Sequence, residues 1–205
     1  MDRHCTLFTG LLAVAFAGML AAGCAKPSYL DVRYALPPSS QALSGMKTAL
    51  DIRDERSTTE IFAGDAKEEF EYFTGIFSLS LDRGGTSHVA GTYDLPMLFK
   101  EAFRQRLTAT GVEVVSEASE NVPQVEIVLH RFLIEGAGRK WIADVAYEAR
   151  LLVEGRTRAT QAVSGKAERF KIMGHSGAEK VIGEIFTDSV NKFDLANLMD
   201  KAAIK

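Results

Sequence analysis

The sequence predicts an α+β domain, a two-layer sandwich with two helices on one face of a mostly antiparallel sheet of four to five strands. Three observations carry that expectation. Trp141, Ala143, Val145, Tyr147, Ala149, Leu151 and Val153 alternate with residues that include Asp144, Glu148, Arg150 and Glu154, the period of a strand with one buried and one wet face. Leu95, Leu98, Phe99, Ala102, Phe103 and Leu107 recur at helical spacing and form one apolar stripe. Ala178, Val181, Ile182, Ile185, Phe186, Val190 and Phe193 form a second. Two such helices, with a strand before them and a meander between them, can cover one face of a sheet.

The chain begins with a segment of another kind. Cys5 to Gly23 holds no charged residue across 19 positions and is preceded by Met1-Asp2-Arg3-His4. A short head, an apolar middle and small residues before a cleavage point make the layout of a secretory signal peptide over residues 1–23. The run ends in Leu20-Ala21-Ala22-Gly23-Cys24, which resembles the bacterial lipobox and implies a Cys24 that is lipidated and becomes the mature N-terminus. The competing reading is an uncleaved membrane helix, since 19 residues come close to spanning ~30 Å of hydrocarbon. Thr6, Thr9 and three glycines weigh against it. Ala25 follows the cysteine in place of the Asp that often retains such lipoproteins at an inner membrane, so the expected location is the outer membrane, facing the periplasm.

Residues 24–46 read as the lipidated cysteine and a tether, because Pro27, Pro37-Pro38-Ser39-Ser40 and Gly45 punctuate the chain. As a flexible coil it would span ~25 Å. Leu30, Val32, Tyr34 and Leu36 alternate inside it, the signature of an added edge strand. The remainder, 47–205, reads as one domain with an insertion at about 57–93. A short strand is expected around Ala49–Arg53. Asp94 stands where its carboxylate can cap the first helix, Pro96 suits a first turn, and Gly111 supplies the stop. Val112 to Val115 opens a strand, and Val125 to Ile134 is apolar on both faces, as a central strand would be. Gly136-Ala137-Gly138 and Gly155–Arg158 turn the chain around the alternating strand, and Ala159 to Phe170 pairs back. Ser176 and Glu179 form a capping box for the last helix, and Gly183 within it costs ~1 kcal/mol against Ala.

Composition excludes several function classes. The chain carries 24 basic and 27 acidic residues, a net charge of −3, so it has no basic footprint for nucleic acid. Both cysteines, Cys5 and Cys24, lie in the first 24 residues, leaving the domain without disulfide or thiol chemistry. His88, His130 and His175 are separated by 42 and 45 residues, with no short metal-ligand spacing. There is no G-x-S-x-G turn for a nucleophile. Gly136-Ala137-Gly138-Arg139-Lys140 lacks the following Ser/Thr and helix of a phosphate loop. Asp65, Glu68, Glu69 and Glu71, with Lys67 among them, read as a solvated charge run. The expectation is therefore no catalytic residue, no cofactor and no metal.

A family resemblance enters at Ile52-Arg53-Asp54-Glu55-Arg56-Ser57, which resembles the hydrophobic-x-Asp-x-Arg-Ser segment near the start of YajG-like bacterial outer-membrane lipoproteins. The late helix, Val181-Ile182 through Ile185-Phe186-Thr187-Asp188-Ser189-Val190, is similar to their C-terminal helix. With the lipobox and the element order, the resemblance spans most of residues 20–200. It implies a location and a fold rather than an activity, because that family is itself uncharacterised. The element order is also similar to the lipoprotein of lipopolysaccharide assembly and to auxiliary lipoproteins of lipid-transporting ABC systems. This chain departs from the YajG-like pattern by a longer segment between Arg56 and Asp94.

That segment holds Phe70, Tyr72, Phe73 and Phe77 within eight residues. One reading packs them inward as a hairpin on the core. The other exposes them as a surface for an envelope protein or an acyl chain, since contiguous exposed apolar area marks interaction sites. Two functions follow: a non-enzymatic, membrane-anchored binding or assembly accessory, or an acyl-chain-binding accessory of a lipid or lipopolysaccharide transport system. The second needs an apolar groove exceeding ~300 Å³.

Overall fold

The strand Lys140–Val153 has the burial rhythm that its sequence predicts, with every residue from Trp141 to Leu151 on the odd positions buried. Around it, a computed structural model describes residues 28–119, 122–171 and 176–203. The elements in order are β1 (Tyr29–Ala35), β2 (Lys47–Asp54), β3 (Phe62–Gly64), α1 (Ala66–Glu69), β4 (Ile76–Arg83), β5 (Thr86–Tyr93), α2 (Leu95–Ala109), β6 (Glu113–Val115), β7 (Gln124–Ala137), β8 (Lys140–Val153), β9 (Arg156–Phe170), α3 (Ser176–Asn191) and α4 (Leu195–Lys201). The signal peptide, Cys24 and His175 lie outside the described residues, as does the side chain of Ser176 on which the capping box depends.

The α+β class holds, and the simple two-layer sandwich does not. The strands form two sheets, one of three strands in the order β1-β4-β5 and one of six in the order β6-β2-β7-β8-β9 with β3 also on β7. The pairing is mixed: β1–β4, β2–β6, β2–β7 and β3–β7 are parallel, while β4–β5, β7–β8 and β8–β9 are antiparallel and hold most of the paired residues. Two expected boundaries move for the same reason. Leu30, Val32 and Tyr34 of the expected tether are fully buried in β1, beside β4. Residues 57–93, expected as an insertion, are built into both sheets: β4 is the central strand of the small sheet and β3 extends the large one.

The helices and the small sheet cover the inner face of the large sheet. Asp94 caps α2 as its position predicts, its Oδ1 accepting from the Met97 amide at 2.9 Å. Rings lock the layers together: Phe99 meets Phe132 of β7 at 5.8 Å and Phe186 of α3 at 4.9 Å, and Phe103 meets Tyr147 of β8 at 5.3 Å. These edge-on contacts add to the burial of large apolar area. α4 has no counterpart in the expectations above, although Asp194 caps it through the Asn197 amide and Leu195, Leu198 and Met199 bury its inner side.

β7 carries one extra residue. Its register against β8 shifts between Leu129 and Arg131, so His130 is the bulged residue. The alternation therefore changes face there, and His130 is exposed.

Leu151→Ala is expected to cost about 2–5 kcal/mol, because the site is fully enclosed. Glu148→Ala, on the outer face and paired with Arg150, should cost no more than about 1 kcal/mol. Chemical denaturation of the two variants checks the pair, and equal losses would contradict the assigned faces.

Candidate functional site

β1 is an edge strand, hydrogen-bonded to β4 on one side only, and its other edge is met by side chains of α3. Glu179, Gly183, Thr187 and Asn191 are spaced by four, so they line one face of the helix. The Asp31 amide reaches Glu179 Oε1 at 3.4 Å, and the Ala35 amide donates to Thr187 Oγ1 at 3.1 Å. Thr187 Oγ1 donates in turn to the Arg33 carbonyl at 3.3 Å, and Asn191 Nδ2 to the Ala35 carbonyl at 3.0 Å. Gly183 allows the close approach: a Cβ there would lie 3.2 Å from the Arg33 carbonyl oxygen. The Tyr34 hydroxyl completes the set by donating to Asn191 Oδ1 at 2.9 Å. Burial pushes the Tyr34 phenol far above its ordinary pKa, so it remains a protonated donor.

Along this seam runs an open groove of about 640 Å³, lined by Asp31, Arg33, Arg169, Lys180, Glu184 and Asp188 among others. Its volume falls in the range of small-molecule sites. Its largest apolar lining side chain is Ala35. Arg33 lies 3.6 Å from Asp31, and Arg169 forks onto Glu184, with Nε to Oε2 at 2.9 Å. Such walls offer aliphatic stems with charged heads.

Of the two readings of the aromatic segment, the structure shows the inward-packed one for three of its four rings. Phe70 and Phe77 are buried, and Phe73 is half-buried. Phe70 stacks on Phe62 at 4.5 Å and meets Trp141 at 5.9 Å, while Phe77 meets Phe73 at 5.2 Å and Phe132 at 5.6 Å. These rings join β3, β4, β7 and β8, which is why they point inward. Tyr72 alone of the four is exposed, at 61%.

Most of the charges singled out by sequence serve as braces. Asp65 and Glu69 each lie 3.2 Å from Lys171 Nζ, which also sits over the Trp141 ring at 4.6 Å. Lys67 pairs with Glu60 at 2.7 Å. Asp54 and Arg56 form a two-pronged pair at the end of β2, with Nε and Nη2 both at 2.8 Å. The hydrogen bonds from Arg56 hold the Asp54 carboxyl below its ordinary pKa. The Arg56 side chain is only 6% exposed, and its Nη1 has no hydrogen-bond partner among the described residues. It borders a cavity of about 50 Å³ shared with Ser57, Thr58, His130 and Arg131. His88 is exposed on β5.

One charged residue was missed entirely. Glu126 of β7 is 2% exposed, with Arg53 Nε at 2.7 Å from Oε1 and Arg150 Nη1 at 3.4 Å from Oε2. The Arg53 contact is an ion pair whose N–H is not aligned for a hydrogen bond. Its alternation with Val125 and Ile127 places it on the outer face, and two arginines close over it.

No family model matches the chain, and no curated protein matches it in sequence. Solved structures do match in fold. Protein XCC0632 from Xanthomonas campestris, described by the family model DUF330, is 13% identical with a TM-score of 0.52, covering 81% of this chain and 91% of its own. The rare lipoprotein B from Shewanella oneidensis is 11% identical with a TM-score of 0.38, covering 71% and 89%. A minor lipoprotein from Acinetobacter baumannii is 8% identical with a TM-score of 0.37, covering 82% and 94%. The first of these establishes a shared fold. Among the described residues, no helix is long and apolar enough to cross a membrane.

Phe77→Ala should cost about 3–5 kcal/mol as a buried aromatic truncation, whereas Tyr72→Ala should stay within about 0.5 kcal/mol. Thermal and chemical unfolding of the two variants would expose a misassigned face. For Asp54, a carboxyl with a lower pKa folded than unfolded stabilises the fold above the unfolded value of about 3.9, and that contribution is lost as pH falls through the folded pKa. Arg56→Gln should therefore return the Asp54 pKa toward the ordinary carboxylate range and flatten the acid limb of the stability curve. Carboxyl NMR titration reads this directly.

Proposed function

We propose that this chain is a bacterial envelope lipoprotein, acylated on Cys24, held at the outer membrane facing the periplasm, and acting by binding or assembly rather than catalysis. One observation carries the reading: Leu20-Ala21-Ala22-Gly23-Cys24 closes an uncharged run and stands five residues before a folded strand. Several acyl chains, as bacterial lipoproteins carry, would anchor it stably where one would not. The groove beside β1 and α3 supports a binding role, and its charged walls favour a polar, extended partner in the periplasm. The lining area is mostly aliphatic, but no apolar side chain larger than Ala35 faces it, so it supports the acyl-chain carrier less.

Kinship to the YajG-like lipoproteins belongs to the same proposal. Asp54 and Arg56 of the shared segment close on each other at the end of β2, so the motif works as a strand-end brace. The same holds for Asp65, Glu69 and Lys171, and for Glu126 between its arginines. Charges tied in this way maintain geometry, which is the support for a non-enzymatic reading.

Intact-mass measurement of the membrane fraction tests the anchor. The wild-type chain should lack residues 1–23 and carry acyl mass, and Cys24→Ser should accumulate as an unprocessed precursor. A wild-type chain that keeps residues 1–23 without acyl mass would refute the proposal.

A further inference from the structure

We infer that the end of the domain bearing Tyr29, Tyr72 and Ile76 rests in the interfacial layer of the bilayer that holds Cys24, an inference that rests on the lipoprotein reading above. Six large hydrophobic side chains remain exposed among the described residues, and these three cluster at the point where the chain enters the fold. Tyr29 and Ile76 are register partners at the start of the β1–β4 ladder. The Ser28 carbonyl accepts from the Thr74 amide at 3.0 Å and from Thr74 Oγ1 at 2.8 Å. That pins the entry point to the loop two residues after Tyr72. Their exposures are 52%, 61% and 37%. Phe170, 69% exposed, lies at the same end, since its register partner is Lys140 and its neighbour Lys171 reaches Asp65 and Glu69.

The length of chain outside the structure selects the occupant. Tyr29 is five residues beyond Cys24, and at ~3.3–3.6 Å per residue the extended reach is at most ~18 Å. An acylated cysteine sits at the bilayer surface, so Tyr29 and its neighbours cannot stand far from the headgroups. Tyrosine suits that layer, with an apolar ring and a polar tip. The base under Tyr72 is rigid: the Phe73 amide bonds the Phe70 carbonyl at 3.0 Å, and both rings pack inward. Lys171 meets the nearby Asp65 and Glu69, which moderates repulsion from anionic lipid. The β8–β9 turn at Glu154-Gly155 then points away, since 14 residues of β8 extend ~45 Å at the usual rise.

The test uses the acylated mature chain, which carries no cysteine other than Cys24. Tyr72→Cys and Arg156→Cys replace exposed side chains at opposite ends and take an environment-sensitive fluorophore. The proteins are reconstituted in vesicles of phosphatidylethanolamine and phosphatidylglycerol containing nitroxide-labelled lipid. Label 72 should be quenched by the lipid nitroxide severalfold more than label 156, and shielded from aqueous iodide. Equal quenching on a chain whose acyl mass is verified would overturn this orientation and leave the anchor standing. Shielding of label 72 that appears only when envelope proteins are added would assign the patch to a protein partner and overturn it as well. A Cys24 without acyl mass would remove the lipoprotein reading and this inference with it.

Discussion

The contact between α3 and the open edge of β1 is the constraint on which the rest of the arrangement depends. An edge strand presents backbone donors and acceptors that must find partners, and an uncovered one invites pairing with other chains. Here the partners are helix side chains at a spacing of four, which can follow a strand only if helix and strand lie close. Gly183 makes that distance possible on one side of α3, and Gly165 of β9 makes it possible on the other, where a Cβ would meet Ile185 at 2.6 Å. α3 is therefore held between the first strand of one sheet and the last strand of the other. The groove follows from the same geometry, as the channel left where a round helix lies against a flat edge.

A second consequence concerns where the aromatic rings and charges go. With α3 holding the sheets at a fixed separation, the space between β4, β7 and β8 is filled by Phe62, Phe70, Phe73, Phe77, Phe132 and Trp141 in one connected set of ring contacts. The outer face of the large sheet is free to carry charge, and it does so in ladders: Arg53–Glu126–Arg150–Glu148, Arg131–Asp144 and Lys140–Glu168. Exposed pairs of this kind add little stability each. Glu126 is different, because removing one arginine would leave a buried carboxylate short of a partner.

What the sequence made legible was local. The alternation of Trp141 to Val153, the Asp94 cap and the stripes of α2 and α3 each encode an element within a few residues, and each matches the fold. The β1 alternation at Leu30, Val32, Tyr34 and Leu36 was visible too, but the prolines that follow pointed to a tether. Pairing was not legible. Burial patterns say which face of a strand is apolar and nothing about which strand lies beside it, so the parallel pairs β1–β4 and β2–β7 left no local trace. Phe70 and Phe77 show the same limit, since an aromatic run is compatible with either side of a surface until its neighbours are known. The groove has no sequence signal at all, because its walls come from β1, β4, β9 and α3. For α4, the signal was present in Asp194 and the apolar residues at 195, 198 and 199.

The seam between β1 and α3 joins residues 148 to 157 positions apart in the chain, and that separation sets an order of events. Synthesis delivers the N-terminus first, so β1 emerges long before the helix that covers it. It can meet β4 after some fifty residues, as the register of Tyr29 with Ile76 requires, but its far edge stays open until nearly the whole chain is available. Contacts of such range form late, because the loop they close must be ordered first. During that interval the open edge can pair with other chains, and a holding chaperone would have to shield it.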